Sequence, residues 1–174
     1  MTDDHPHAEW SSVMYGMLRD AGVKLFCHIP DAGNDYLVKL AEADNETCTV
    51  LLTSEEEGVA VCAGADLVGQ RGILCMQSSG VGNCPNYLSL ANGGRFPLLI
   101  IVCMRGDYGE QNPWQYPMGQ AVEPLLKAMG VLVFKVEHRD DIEKATLAAL
   151  HASGAGAQSA AIVLSQKFLG AKGF

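Results

Sequence analysis

Gly72-Ile73-Leu74-Cys75-Met76-Gln77-Ser78-Ser79-Gly80-Val81-Gly82-Asn83 decides the fold. Its first half is an unbroken apolar run, and its second half is small, polar and glycine-rich. A short continuous apolar run reads as a strand covered on both faces, as in a parallel sheet. The glycines that follow read as a strand-to-helix turn. The same unit recurs on both sides of this stretch. Residues 24–29, 48–53, 98–104, 131–136 and 160–165 have strand character, and 8–21, 34–43, 55–68, 82–93, 119–129 and 140–152 have helical character. Strand and helix alternate throughout. This predicts an α/β three-layer sandwich with a mainly parallel six-stranded sheet. Residues 8–174 read as one domain and the acidic, polar residues 1–7 as a short flexible tail.

Composition narrows the function classes. The chain has 174 residues, 48% hydrophobic and 18% charged, which allows a substantial core and a surface that is small or partly covered by partners. The formal net charge is -8, and no basic stripe is present to bind nucleic acid. No apolar run approaches the roughly 20 residues of a membrane span, and the N-terminus does not read as a signal peptide. The six cysteines form no C-x-x-C pair, and most lie in apolar runs. Reduced core thiols in a cytoplasmic protein are the expectation, with Cys84, in the glycine-rich stretch, as the one to watch.

In an open parallel sheet, ligands bind beyond the carboxyl ends of the strands. That selects residues 28–34, 53–58, 77–83 and 104–107, with 165–167 as a poorer fifth place. Glu55-Glu56-Glu57 opens a helix, where acidic side chains also favour the helix dipole. Gly58, Cys62 and Ala65 leave one face of that helix nearly bare, so a partner helix or a cofactor is expected against it. The loop Ser78–Asn83 could present backbone N–H groups to a phosphate, but it is neither a Walker motif nor a dinucleotide fingerprint. A tight turn explains it equally well.

Taken together, Thr53-Ser54-Glu55-Glu56-Glu57-Gly58, Cys62-Ala63-Gly64-Ala65 and Gln77-Ser78-Ser79-Gly80-Val81-Gly82-Asn83 resemble the pyrimidine-binding domain of thiamine-diphosphate enzymes, a flavodoxin-like unit. The resemblance is closer to sulfopyruvate and phosphonopyruvate decarboxylases, with Arg105-Gly106-Asp107-Tyr108-Gly109-Glu110, Gln115 and Met118-Gly119 also matching. Ser78 stands where that group usually has Asn. The register makes Glu55 the family glutamate, with Glu56 as alternate. The resemblance implies that Glu55 is catalytic and hydrogen-bonds the cofactor's aminopyrimidine, and that Ser79, Gly80, Gly82 and Asn83 complete the cofactor contacts. It implies decarboxylation of a small anionic 2-oxo acid, with Arg105, His28, Asn34 and Gln77 as candidate substrate contacts. For Arg105 the alternative is an ordinary surface arginine or one paired with Asp107.

No Gly-Asp-Gly with a downstream Asn is found, the family's Mg²⁺ and diphosphate motif. No metal ligand is therefore expected on this chain. The resemblance implies that Mg²⁺ and the diphosphate of thiamine diphosphate are held by a second chain, a β subunit, since sulfopyruvate decarboxylases are commonly split in two. Self-association is a further expectation. Competing readings are another split 2-oxo-acid decarboxylase, including one for phosphonopyruvate, and a non-catalytic flavodoxin-like binding module.

Overall fold

A computed structural model describes residues 5–171. Of the expected tail, residues 1–4 lie outside the described residues; His5 packs on Tyr36, with ring centroids 5.0 Å apart. The elements are α1 (Ala8–Asp20), β1 (Val23–His28), α2 (Asp35–Ala43), β2 (Cys48–Leu51), α3 (Glu55–Leu67), β3 (Arg71–Gln77), α4 (Ser78–Val81), α5 (Pro85–Gly94), β4 (Leu99–Cys103), α6 (Gln115–Ala128), β5 (Leu132–Val136), α7 (Asp141–Ser153), β6 (Ala160–Leu164) and α8 (Gln166–Leu169).

The strands form one six-stranded sheet in the order β2-β1-β3-β4-β6-β5, and every pairing is parallel. The unbroken apolar runs explain this. In β3, Ile73 and Cys75 enter the core beneath α1, α2 and α7, while Leu74 and Met76 enter the core beneath α3, α5 and α6. β4 divides its residues in the same way, as does β6. Both strands are buried along their whole length, so a polar side chain on either face would be costly. The edge strands β2 and β5 are partly exposed, and β5 carries Lys135, a charge suited to an unpaired edge.

Three local expectations are corrected. The loop expected at 78–83 is a helical turn: the N–H groups of Gly82, Asn83 and Cys84 donate to the carbonyls of Ser79, Gly80 and Val81. Those N–H groups are therefore not open to a phosphate. The helix expected from residue 119 begins at Gln115, because Pro117 in its first turn needs no intrahelical donor. Gly58 and Cys62 of α3 face inward rather than outward, whereas Ala60 and Gly64 are exposed. A Cβ at Gly58 would lie 2.3 Å from Leu74 Cδ1, so glycine is what lets α3 approach its own sheet.

The α1–α7 layer contains an unmatched polar group. Thr146 is fully buried, and its Oγ1 has no hydrogen-bond partner. A buried hydroxyl without a partner costs on the order of 1–3 kcal/mol. Thr146→Val should therefore raise stability by about 1 kcal/mol in a denaturant melt; a loss of stability would show that the hydroxyl is satisfied in solution.

Candidate active site

The strand order places a crevice at the carboxyl ends of β1 and β3. The chain leaves β1 toward β2 on one side and leaves β3 toward β4 on the other, the arrangement that opens a ligand site. The turns after β1, β2 and β3 surround it.

The three adjacent glutamates do different things. Glu57 accepts a hydrogen bond from the backbone N–H of Thr53 at 2.8 Å, closing the helix start. Glu56 turns back to accept from the Ser54 hydroxyl, which is the first cause of its carboxyl lying below the usual range. Glu55 alone reaches across the crevice. It is 9% exposed, and its Oε2 accepts from Asn83 Nδ2 at 2.8 Å. Its other oxygen lies over Gly80, where an added Cβ would be 2.4 Å from Oε1. Any side chain at position 80 would displace the carboxylate. The structure thus brings Glu55, Gly80 and Asn83 together, with Oε1 left as an open acceptor. Gly82 sits one residue away, packed against Met118 rather than Glu55.

A second cluster joins the turn after β1 to the turn after β3. Gln77 Nε2 donates to Asp31 Oδ1 at 3.3 Å, and Ser79 Oγ donates to Gln77 Oε1 at 3.0 Å. Asp31 was not singled out from the sequence; it follows a proline in a turn, a setting that reads as loop geometry. His28 stands apart in a cleft of about 380 Å³ lined also by Asp31, Lys39 and Glu42. Burial lowers its pKa, against the pull of Glu42, so the neutral ring is favoured. Asn34 is turned into the core and is 1% exposed. Its amide donates to the Met76 carbonyl at 3.2 Å and accepts from the Cys103 thiol at 3.1 Å. It ties β3 and β4 beneath the crevice and also lines the cleft that holds His28.

Arg105 is held by Glu110. Its Nε and Nη2 donate to the two carboxylate oxygens at 2.6 and 2.7 Å. The partner is thus Glu110 and not Asp107. Glu110 is 4% exposed, and the guanidinium, helped by Asn112 N–H and Gln166, holds its carboxyl far below the usual range against the cost of burial. Gln166 Nε2 donates to the same carboxylate at 2.8 Å, and Asp107 accepts from Ser165 Oγ at 2.6 Å. Ser78 fastens this network to the crevice, donating to the Arg105 carbonyl at 3.1 Å. Glu110 and Gln166 fall within stretches quoted from the sequence, but no role was legible for them there because their partners lie across an irregular segment with no period to read. Trp114 stands 88% exposed on that segment, and the Tyr116 hydroxyl donates to the Glu110 carbonyl.

Cys84 is buried, donates to the Gly80 carbonyl at 3.3 Å and is pushed up to about 12, mainly by burial; it is a neutral packing thiol. The six cysteines are all free, and Cys48 alone is exposed. Among the described residues no group of three or more His, Cys, Asp or Glu is placed to hold a metal ion, and no helix is long and apolar enough to cross a membrane.

No family model matches the chain. Individual relatives do. The chain is 36% identical over 135 residues to sulfopyruvate decarboxylase subunit alpha of Methanocaldococcus jannaschii, covering 77% of this chain and 80% of that one. It is 35% identical over 135 residues to the subunit of the same name from Methanococcus maripaludis, covering 77% and 81%. Among solved structures, a 2-oxoglutarate:ferredoxin oxidoreductase from Magnetococcus marinus superposes with a TM-score of 0.69 at 19% identity, over 92% of this chain and 29% of that one. That likeness concerns the fold, and this chain matches less than a third of the larger one. With more than a third of residues identical over most of both chains, the protein belongs to the family of sulfopyruvate decarboxylase alpha subunits.

Proposed function

We propose that this chain is the α subunit of a thiamine-diphosphate-dependent decarboxylase that converts sulfopyruvate to sulfoacetaldehyde and CO2. The observation that carries the reading is Glu55: an enclosed carboxylate at the start of α3, one oxygen held by Asn83 and the other open over Gly80. This arrangement fits the aminopyrimidine end of the cofactor, whose ring nitrogen needs a carboxyl oxygen that can share a proton with it in a nearly dry place. When bound, thiamine diphosphate supplies the electron sink for loss of CO2. Glu55 Oε1 holds or accepts the proton at the pyrimidine nitrogen, and Oε2 stays fixed by the amide. Ser79, held by Gln77, and the bare backbone at Gly80 and Gly82 shape the wall around the ring.

For the anionic end of the substrate, Arg105 has only Nη1 outside its pair with Glu110, so it offers directed hydrogen bonds more than net charge. Gln77 joins that set, and His28, with Asn34 beside it, reaches the substrate from the neighbouring cleft that Asp31 also lines. The Mg²⁺ and diphosphate half falls to a β subunit in the same cytoplasmic assembly. Its docking face is the outer side of α3 and α5, where Val61, Leu67, Val68, Tyr87 and Leu90 are exposed, a patch of the kind that marks an interface. The same face would serve self-association of the α chain.

Calorimetric titration with thiamine diphosphate and Mg²⁺ tests this split. The chain alone should bind weakly and give no turnover, and the mixture with its β subunit should bind tightly and decarboxylate sulfopyruvate. Tight metal-dependent binding and turnover by the chain alone would overturn it.

A further inference from the structure

We infer that Asn83 is a positioning residue that acts on the Glu55 carboxylate and makes no contact of its own with the cofactor. The inference rests on the reading of Glu55 given above and changes the role that the sequence resemblance gave Asn83. Its amide Nδ2 donates to Glu55 Oε2 at 2.8 Å. The amide must face this way, because its oxygen against a carboxylate oxygen would repel. The backbone of Asn83 is fixed by the same turn, through its N–H to the Gly80 carbonyl at 3.0 Å. Gly80 in turn lies directly beneath the carboxylate, so that an added Cβ would be 2.4 Å from both Cγ and Oε1. One helical turn thus sets the carboxylate from below and from the side, and leaves a single oxygen free.

The choice of an amide follows from the chemistry. A lysine or arginine at this place would hold the carboxylate as an ion pair and drain its basicity. A neutral donor fixes the geometry and leaves the charge for the pyrimidine. Misplacing a proton-handling group by about an ångström can cost on the order of a hundredfold in rate. The cofactor's binding energy would be spared, because most of its contacts lie elsewhere.

The test uses Asn83→Ala in the complex with the β subunit. We expect kcat to fall about ten- to a hundredfold, with the dissociation constant for thiamine diphosphate, measured by calorimetry, changed less than about threefold. A second readout needs no turnover. In the 15N-labelled chain, the Asn83 side-chain amide protons should exchange slowly with solvent, and faster in Glu55→Ala. Three outcomes overturn the inference. The first is a tenfold or greater weakening of cofactor binding with kcat restored at saturation, which would make Asn83 a direct contact. The second is wild-type kcat. The third is amide exchange indifferent to Glu55. Glu55→Gln serves as the control: if it keeps turnover, the proposed function fails whatever Asn83 does.

Discussion

Glu55→Gln should lower turnover of the assembled enzyme by about 10³-fold or more and leave the chain folded. The amide oxygen can still accept from Asn83, so packing over Gly80 is retained. What is lost is the proton acceptor at the open oxygen. Glu56→Gln and Glu57→Gln should keep most of the activity, because those carboxylates bond to Ser54 and to the Thr53 backbone. The measurement is CO2 release from sulfopyruvate by each variant, alongside its melting curve. Near-wild-type activity for Glu55→Gln with loss for Glu56→Gln would move the catalytic role by one residue.

Arg105→Ala should cost on the order of 3–5 kcal/mol of folding stability, or roughly 10 °C in Tm for a domain of this size. The substitution leaves Glu110 buried and charged with its strongest partner gone. An exposed pair such as Lys127 and Glu123 should cost less than about 1 kcal/mol when broken. The pair also sets a pH dependence. The Glu110 carboxyl is held below its ordinary value of about 4.5 in the folded state. Its contribution is complete above that value and drains away as pH falls below it. Arg105→Ala should therefore flatten the loss of stability in the acid range relative to wild type. A variant that keeps its Tm but shows a raised KM would make substrate contact, and not the Glu110 pair, the main role of Arg105.

Much of this was legible in the chain because period and chemistry agree. The unbroken apolar runs of β3, β4 and β6 can only be strands covered on both faces. Glu55 was singled out by register against Gly58, Cys62 and Gly80, and the geometry then separates it from Glu56 by what each carboxylate touches. The misreadings share one cause. Small or polar residues are ambiguous about direction. Gly58 and Cys62 were expected to admit an outside body, yet they admit the sheet. Asn34 follows a strand at the correct end, and the sequence does not show that its amide bonds to Met76 and Cys103 beneath the crevice. Arg105 and Glu110 meet across a segment whose path depends on tertiary contacts, so nothing in their spacing announces the pair.

The position of β6 has a consequence for synthesis. β4 and β5 are made first but do not pair with each other; β6 enters last and lies between them. Until residue 164 exists, a nascent chain carries two open strand edges, each ready to pair with another molecule. Long-range parallel pairing is also slow to form. A chain cut short between β5 and β6 would therefore hold a four-stranded sheet with β4 as an open edge and β5 without its only partner, a form prone to aggregate and in need of chaperone protection.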